Sequence, residues 1–243
     1  MNNDDRKTDR QLWEEYWQTY VPQVVIEKSA FSEVFSAQPN GAGKRFLEIG
    51  GFPGVFAVWF KKHKGYDVSL LDFYTANEVT HKLLAANDLE SNAITIIESD
   101  LFNYIPLQKF DLVTSFGFIE HFKNTNLVLQ KHADCTADGG KLLITLPNLC
   151  GINGWVQRTF DKANYDIHVI ECMDLELLKN ATINAGLKNV NVYYYGKPMV
   201  WLEPKAPVNK VVRWLVKMLS ISIKLFSLQG KLMSPYIVIE AEK

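Results

Sequence analysis

Residues 46–54 read FLEIGGFPG, an apolar run that ends on an acid and then opens into Gly50, Gly51 and Gly54 around Pro53. An acid closing a buried strand, followed at once by backbone with few side chains, suits a ligand that must approach the main chain closely. The glycine spacing narrows the choice. A dinucleotide-binding turn would place glycine at 50, 52 and 55, and Phe52 and Val55 hold two of those positions. The pattern in place is Glu48-x-Gly50-x-x-x-Gly54.

Outward from this turn, strand and helix patterns alternate. KRFLEIG (44–50) precedes VFAVWFKKHKG (55–65), whose apolar residues recur at helical spacing and whose last turn is basic before Gly65. YDVSLLD (66–72), AITIIESD (93–100), FDLVTSF (110–116) and KLLITLP (141–147) read as further strands, with ANEVTHKLLAAND (76–88) and HFKNTNLVLQKHADC (121–135) as helices between them. Apolar strands separated by helices predict a doubly wound, mostly parallel α/β sheet covered on both faces. Ligands in such sheets bind beyond the carboxyl ends of the strands, where strand order reverses. The positions to inspect are therefore Glu48 to Gly54, Asp72 and Phe73, Asp100 and Leu101, and Ser115 to His121.

After Pro147, NLCGINGWVQRTFDKANYDIH (148–168) reads as a loop with one helical turn. A helix over MDLELLKNATINAGL (173–187) and strands NVNVYYY (189–195) and SPYIVIEA (234–241) follow. The chain has 243 residues, 47% hydrophobic, enough for one substantial domain. Its net charge of -1 provides no global attraction to nucleic acid. Cys135, Cys150 and Cys172 lack metal-ligand or disulfide spacing, and the polar start MNNDDRKTDR has no apolar run behind it. Both point to the cytoplasm.

The Glu-x-Gly-x-x-x-Gly turn, with acids recurring after the second and third strands, resembles the class I S-adenosylmethionine (SAM)-dependent methyltransferases. FDLVTSFGFIEHF…DGGKLLITLPN is similar to the strand-four to strand-five block of that superfamily. The nearest look is to its small-molecule branch, with ubiquinone-pathway O-methyltransferases and methyltransferases of glycan and natural-product clusters. The resemblance implies a Rossmann-like seven-stranded sheet with an N-terminal helix and a helical insertion before the last strand. It implies SAM as cofactor, held by Glu48, Gly50, Gly51, Gly54, Asp72, Phe73, Asp100, Leu101 and Ser115. Asp72 would take the ribose diol and Asp100 the adenine amine, with Leu101 as an apolar edge. Two departures narrow the chemistry. Ubiquinone-pathway enzymes carry an extra metal-holding Glu where this chain has Gly117, so no metal is expected at Glu120 and His121. Residues 115–118 are SFGF rather than the Asn/Asp-Pro-Pro-Tyr of base and glutamine N-methyltransferases, which disfavours nucleic acid.

Methyl transfer to a hydroxyl or amine needs positioning, exclusion of water and removal of a proton. His121, after strand four, and His168, in the loop beyond strand five, are the candidate bases. Asn148, Tyr165 and Asp166 are expected on the substrate wall. LWEEYW (12–17) would fold over the site as a helix or serve as core packing. The connection 196–234 contains no acid between Glu203 and Glu240. Its helical wheel puts Lys210, Arg213, Lys217 and Lys224 on one side and Val211, Leu215, Leu219 and Phe226 away from them. A peripheral membrane contact through 208–228, packing on the domain and a homodimer contact all suit it.

The expected organisation is one domain: a cap (1–43), a SAM-binding core (44–147), a substrate-side segment (148–195), the insertion (196–234) and the last strand (235–243). The expected activity is methyl transfer to oxygen or nitrogen of a small or lipid-linked acceptor. Its rivals are an NAD(P)-dependent oxidoreductase and a SAM-binding interaction protein without turnover.

Overall fold

The computed structural model describes residues 6–226 and 228–243, so the first five residues of the expected cap lie outside the described residues. Strands β1 (Arg45–Ile49), β2 (Asp67–Asp72), β3 (Ile94–Glu98), β4 (Phe110–Phe116), β5 (Thr136–Pro147), β6 (Lys188–Tyr195) and β7 (Tyr236–Glu242) form one seven-stranded sheet in the order β3-β2-β1-β4-β5-β7-β6. Strands β1 to β5 pair in parallel, and β7 runs antiparallel to both β5 and β6. This is the Rossmann-like methyltransferase arrangement expected from the sequence. Strand order reverses between β1 and β4, which pair through Glu48 and Thr114. The glycine turn thus leaves the sheet at its topological switch point.

Both sheet faces are apolar because both are covered. Leu47, Leu71 and Val113 point to one face, under α5 (Thr125–Cys135) and α8 (Leu175–Asn184). Their chain neighbours Phe46, Leu70 and Leu112 point to the other, under α2 (Ser32–Ser36), α3 (Val55–Lys64) and α4 (Asn77–Ala85). Phe46 stacks on Phe60 of α3 at 4.5 Å between ring centres. Truncating such a buried phenylalanine costs about 3–5 kcal/mol.

Helix starts follow local capping chemistry. Asp9 accepts the Leu12 N–H at the head of α1 (Arg10–Trp17), Asn124 serves α5 and Asp174 serves α8 in the same way. Gly65, with φ 74°, ends α3 in the left-handed conformation after a basic last turn.

One element differs from expectation. The stretch after β5 folds as two helices, α6 (Ile152–Phe160) and α7 (Lys162–Asp166), rather than a loop with one turn. Its apolar side becomes useful only against a distant partner: Val156 packs with Val216 and Ile223 of α9 (Lys210–Ile223), from the insertion. Gly154 is needed at this contact, since a Cβ there would strike the Leu149 backbone.

Candidate functional site

At the end of β1 the Glu48 side chain turns back, and its Oε2 accepts the Ala57 N–H of α3 at 2.7 Å. The two adjacent glycines, Gly50 and Gly51, are required by neighbouring side chains. A Cβ on Gly51 would collide with the Glu48 carboxylate, and one on Gly50 (φ 67°) with the Phe118 ring. Gly54, with φ 102°, caps α3 and sits over Leu70. Glu48 is fully enclosed, and burial, helped by the charge of Asp72, pushes its carboxyl up to about 8 against the Ala57 hydrogen bond.

Asp72 closes β2. Its oxygens accept N–H groups from Phe52 and Tyr74, each at 3.1 Å. Burial raises it to about 6, with those N–H groups and Arg6 opposing. Beside it, the Arg6 guanidinium pairs with Asp100 at 2.8 Å and lies 4.8 Å above the Phe73 ring. Leu101 is buried, and with Phe73, Asp100 and Phe118 it lines a small cleft of about 20 Å³. The acids after β1, β2 and β3 therefore converge on one edge of the sheet, where Arg6 and Phe118 line the same small cleft as Asp72 and Asp100. Ser115 stands apart from this group. Strand alternation turns it into the core, where its hydroxyl meets His132 Nε2 at 3.0 Å, and it lines none of the cavities described here.

From Glu48, Gly50 and Gly51 a cavity of about 630 Å³ extends under α1. Its wall is largely aromatic: Trp13, Tyr16 and Trp17 from the N-terminal helix, with Phe52, Phe56 and Phe116. Such a size and lining suit a small organic ligand. The LWEEYW helix thus folds over the site. Polar groups enter at two places. Glu203, in the insertion, accepts the Tyr16 O–H at 3.2 Å, and burial raises its pKa. Opposite stand Glu120, His121 and His168, each offering a ligand atom within 4.8 Å of the others.

A short 3-10 turn (Ile119–His121) after β4 aims Glu120 and His121, and the chain after α7 returns His168, whose ring centre lies 4.9 Å from that of His121. His121 Nδ1 donates to the Ile167 carbonyl at 2.9 Å, and His168 Nδ1 to that of Asn164 at 2.7 Å. A carbonyl can only accept, so each neutral ring keeps its lone pair on Nε2. Burial lowers both histidines: His121 falls to about 3, with His168 adding to the effect and the Ile167 hydrogen bond opposing it, and the lowering of His168 is opposed by hydrogen bonds to the backbone of Asn164 and Tyr165. Burial also raises Glu120 to about 8, and its Oε2 has no hydrogen-bond partner among the described residues. The expectation of no metal rested on Glu120 and His121 alone. Folding adds His168, and two imidazoles with a carboxylate have the donor set of a divalent-cation site.

The substrate wall also differs from expectation. Asn148 is a buried tie whose amide donates to the carbonyls of Lys231 and Ser234, and Asp166 pairs with Lys162 in solvent. The wall is built instead from Gln157, Asp161, Asn164 and Ile167, with Glu203. Asp161 and Glu203 gave no sequence signal, since their meeting depends on α6, α7 and the insertion closing on each other.

The donor set fits SAM. A buried carboxylate stands at the end of β2 with a second acid beyond β3, and a glycine turn opens into a roomy cavity beside an acid. No curated relative matches the chain. Several solved structures share its fold. Phosphoethanolamine N-methyltransferase 2 of Haemonchus contortus, in complex with phosphomonomethylethanolamine and S-adenosylhomocysteine, aligns at 17% identity over 88% of this chain and 51% of that one, with a TM-score of 0.59. This chain thus spans about half the length of that enzyme. A SAM-dependent methyltransferase from Archaeoglobus fulgidus aligns at 16% identity over 98% of this chain and 96% of its own, TM-score 0.57. Another from Mesorhizobium loti aligns at 14% identity, 89% and 99% coverage, TM-score 0.57. At these identities the likeness concerns the fold. A family model for the methyltransferase domain matches residues 20–192, most of the chain and all of the elements that build the glycine turn and its acids. The chain belongs to the methyltransferase-domain family, in the class I superfamily whose methyl donor is S-adenosylmethionine.

Proposed function

We propose that the protein transfers a methyl group from SAM to an oxygen or nitrogen of a small or lipid-linked acceptor, with His168 as the base. The observation that carries this reading is the polar cluster of Glu120, His121 and His168 in the wall of a largely aromatic cavity that begins at the glycine turn. When bound, SAM supplies an activated methyl carbon on a sulfonium, and the acceptor's lone pair displaces the thioether in line. Glu48 and the turn would hold the methionyl end, Asp72 the ribose and Asp100 the adenine. Trp13, Tyr16 and Trp17 exclude water from the acceptor and bind its apolar part. His168 Nε2 takes the proton released by the acceptor as the new bond forms. Its Nδ1 is held by the Asn164 carbonyl, which leaves the Nε2 lone pair free in the cavity wall. His121, wedged between Trp13 and His168, positions it.

Transfer of labelled methyl from SAM into a panel of hydroxyl- and amine-bearing amphiphiles tests the activity. Turnover is expected, and His168→Ala should lower kcat by about 100-fold while leaving S-adenosylhomocysteine binding unchanged. Cofactor binding with no transfer to any acceptor would favour an interaction protein instead. An unimpaired His168→Ala would remove the base.

A further inference from the structure

Helix α9 has two apolar sides, and the fold uses only one. Val216 and Ile223 pack with Val156 and Val200, and Ser220 Oγ accepts the Val200 N–H. Arg213 is turned inward and donates to the carbonyls of Glu203, Pro204 and Ala206, so it leaves the basic face expected from the helical wheel. On the outer side Trp214, Leu215, Met218 and Ile221 are exposed, Trp214 at 58% and Ile221 at 49%. Leu225 and Phe226 continue the stripe beyond the helix. Val211, Leu215 and Phe226 do point away from the lysines, but into solvent rather than into the core. An isolated apolar stripe of this size calls for a second apolar phase.

Charge selects that phase. Lys210, Lys217 and Lys224 follow one flank of the stripe at seven-residue spacing, and no acid occurs between Glu203 and Glu240. A contact with a second copy through this segment would add another lysine row and no carboxylate from the same segment to offset either. An anionic lipid surface supplies both missing partners: acyl chains for the stripe and phosphates for the lysines. Among the described residues no helix is long and apolar enough to cross a membrane, so the contact would be interfacial.

We propose that α9 lies in the headgroup region of an anionic bilayer, with Trp214, Met218 and Ile221 turned to the acyl chains and the lysine flank at the phosphates. This placement bears on the cavity. Trp201, Glu203, Ala206 and Pro207 line the cavity, and the Arg213 guanidinium clamps the carbonyls of this same segment to α9. Docking therefore holds the cavity edge close to the bilayer. On the reading that the cavity receives the methyl acceptor, that acceptor is an amphiphile whose tail stays in the membrane while its head reaches His168.

The test is flotation of the full chain with vesicles of phosphatidylcholine alone and of equal parts phosphatidylcholine and phosphatidylglycerol, at low and high salt. Binding to the anionic vesicles, weakened by salt, is expected, with partitioning lowered at least about tenfold in Trp214→Glu/Ile221→Glu. The same variant should keep its affinity for S-adenosylhomocysteine, which shows that it folds. Absence of binding to anionic vesicles, or equal binding to both kinds, would overturn the proposal. So would a dimer, seen by light scattering, that the double substitution dissociates, which would give the face to a second copy. Vesicle binding is read without turnover, so failure here leaves methyl transfer standing, and failed transfer leaves the docking result intact.

Discussion

Glu48→Gln should stabilise the ligand-free protein and weaken its hold on the cofactor. The folded protein keeps the Glu48 carboxyl at about 8, whereas in the unfolded chain it ionises near 4.5. At pH 7 the folded state holds a proton that the unfolded state releases, so unfolding is favoured. Each pH unit above the unfolded value costs about 1.4 kcal/mol, or about 3 kcal/mol by pH 7. Glutamine keeps an oxygen for the Ala57 N–H and does not titrate. The stability gap between variant and wild type should therefore widen by about 3 kcal/mol from pH 5 to pH 7, roughly 6–12 °C in Tm for a chain of this size. Thermal unfolding of both proteins without cofactor at the two pH values reads this directly. Calorimetric titration with SAM should show weaker binding in the variant: the ligand ammonium draws Glu48 into its ionised form, at a cost of about 1.4 kcal/mol at pH 7, and glutamine has no charge to supply. A gap that stays constant between pH 5 and pH 7 would refute the assigned ionisation of Glu48. Undiminished SAM affinity would remove it from the cofactor site.

Arg6→Ala should tighten S-adenosylhomocysteine binding about three- to tenfold. It removes a part-buried ion pair to Asp100 and a cation–π contact on Phe73, each worth about 0.5–1 kcal/mol, from the place assigned to the adenine. Weaker binding, measured by the same titration, would make Arg6 a cofactor ligand instead. The pH dependence of stability follows from enclosed groups, and Asp72, raised to about 6, moves the maximum towards acid because its contribution falls as pH rises to 6. Glu48 and Glu120 are raised to about 8, while His121 and His132 are lowered to about 3 and about 4. From pH 6.5 to 8 only the folded state keeps the carboxyl protons, so stability falls, by up to about 3 kcal/mol per pH unit. Below 4.5 only the unfolded state protonates these histidines, and stability falls again towards pH 4. Urea midpoints should peak between pH 4.5 and 6.5, and a rise from 6.5 to 8 would contradict the assignment.

The doubly wound sheet was legible because its signals are local. Strand runs such as FDLVTSF and FLEI and the glycines at 50, 54 and 65 act within a few residues of themselves. Glu48, Asp72 and Asp100 could also be picked out, because a parallel sheet carries the residues after its strands to one edge. Other features needed the folded chain. Ser115 follows the same rule of position, yet its side chain falls on the core side of β4, next to His132. That Phe118 fills the space over Gly50 follows from contacts 68 residues apart in the chain. The Glu120–His121–His168 cluster exists because α6 and α7 fold where a loop was expected and return His168 to the 3-10 turn after β4. Likewise the basic, apolar composition of 210–226 was plain in the sequence, but which side it buries was not. Periodicity gives the angle between residues on a helix, and only the surface against which the helix packs decides which angle faces inward.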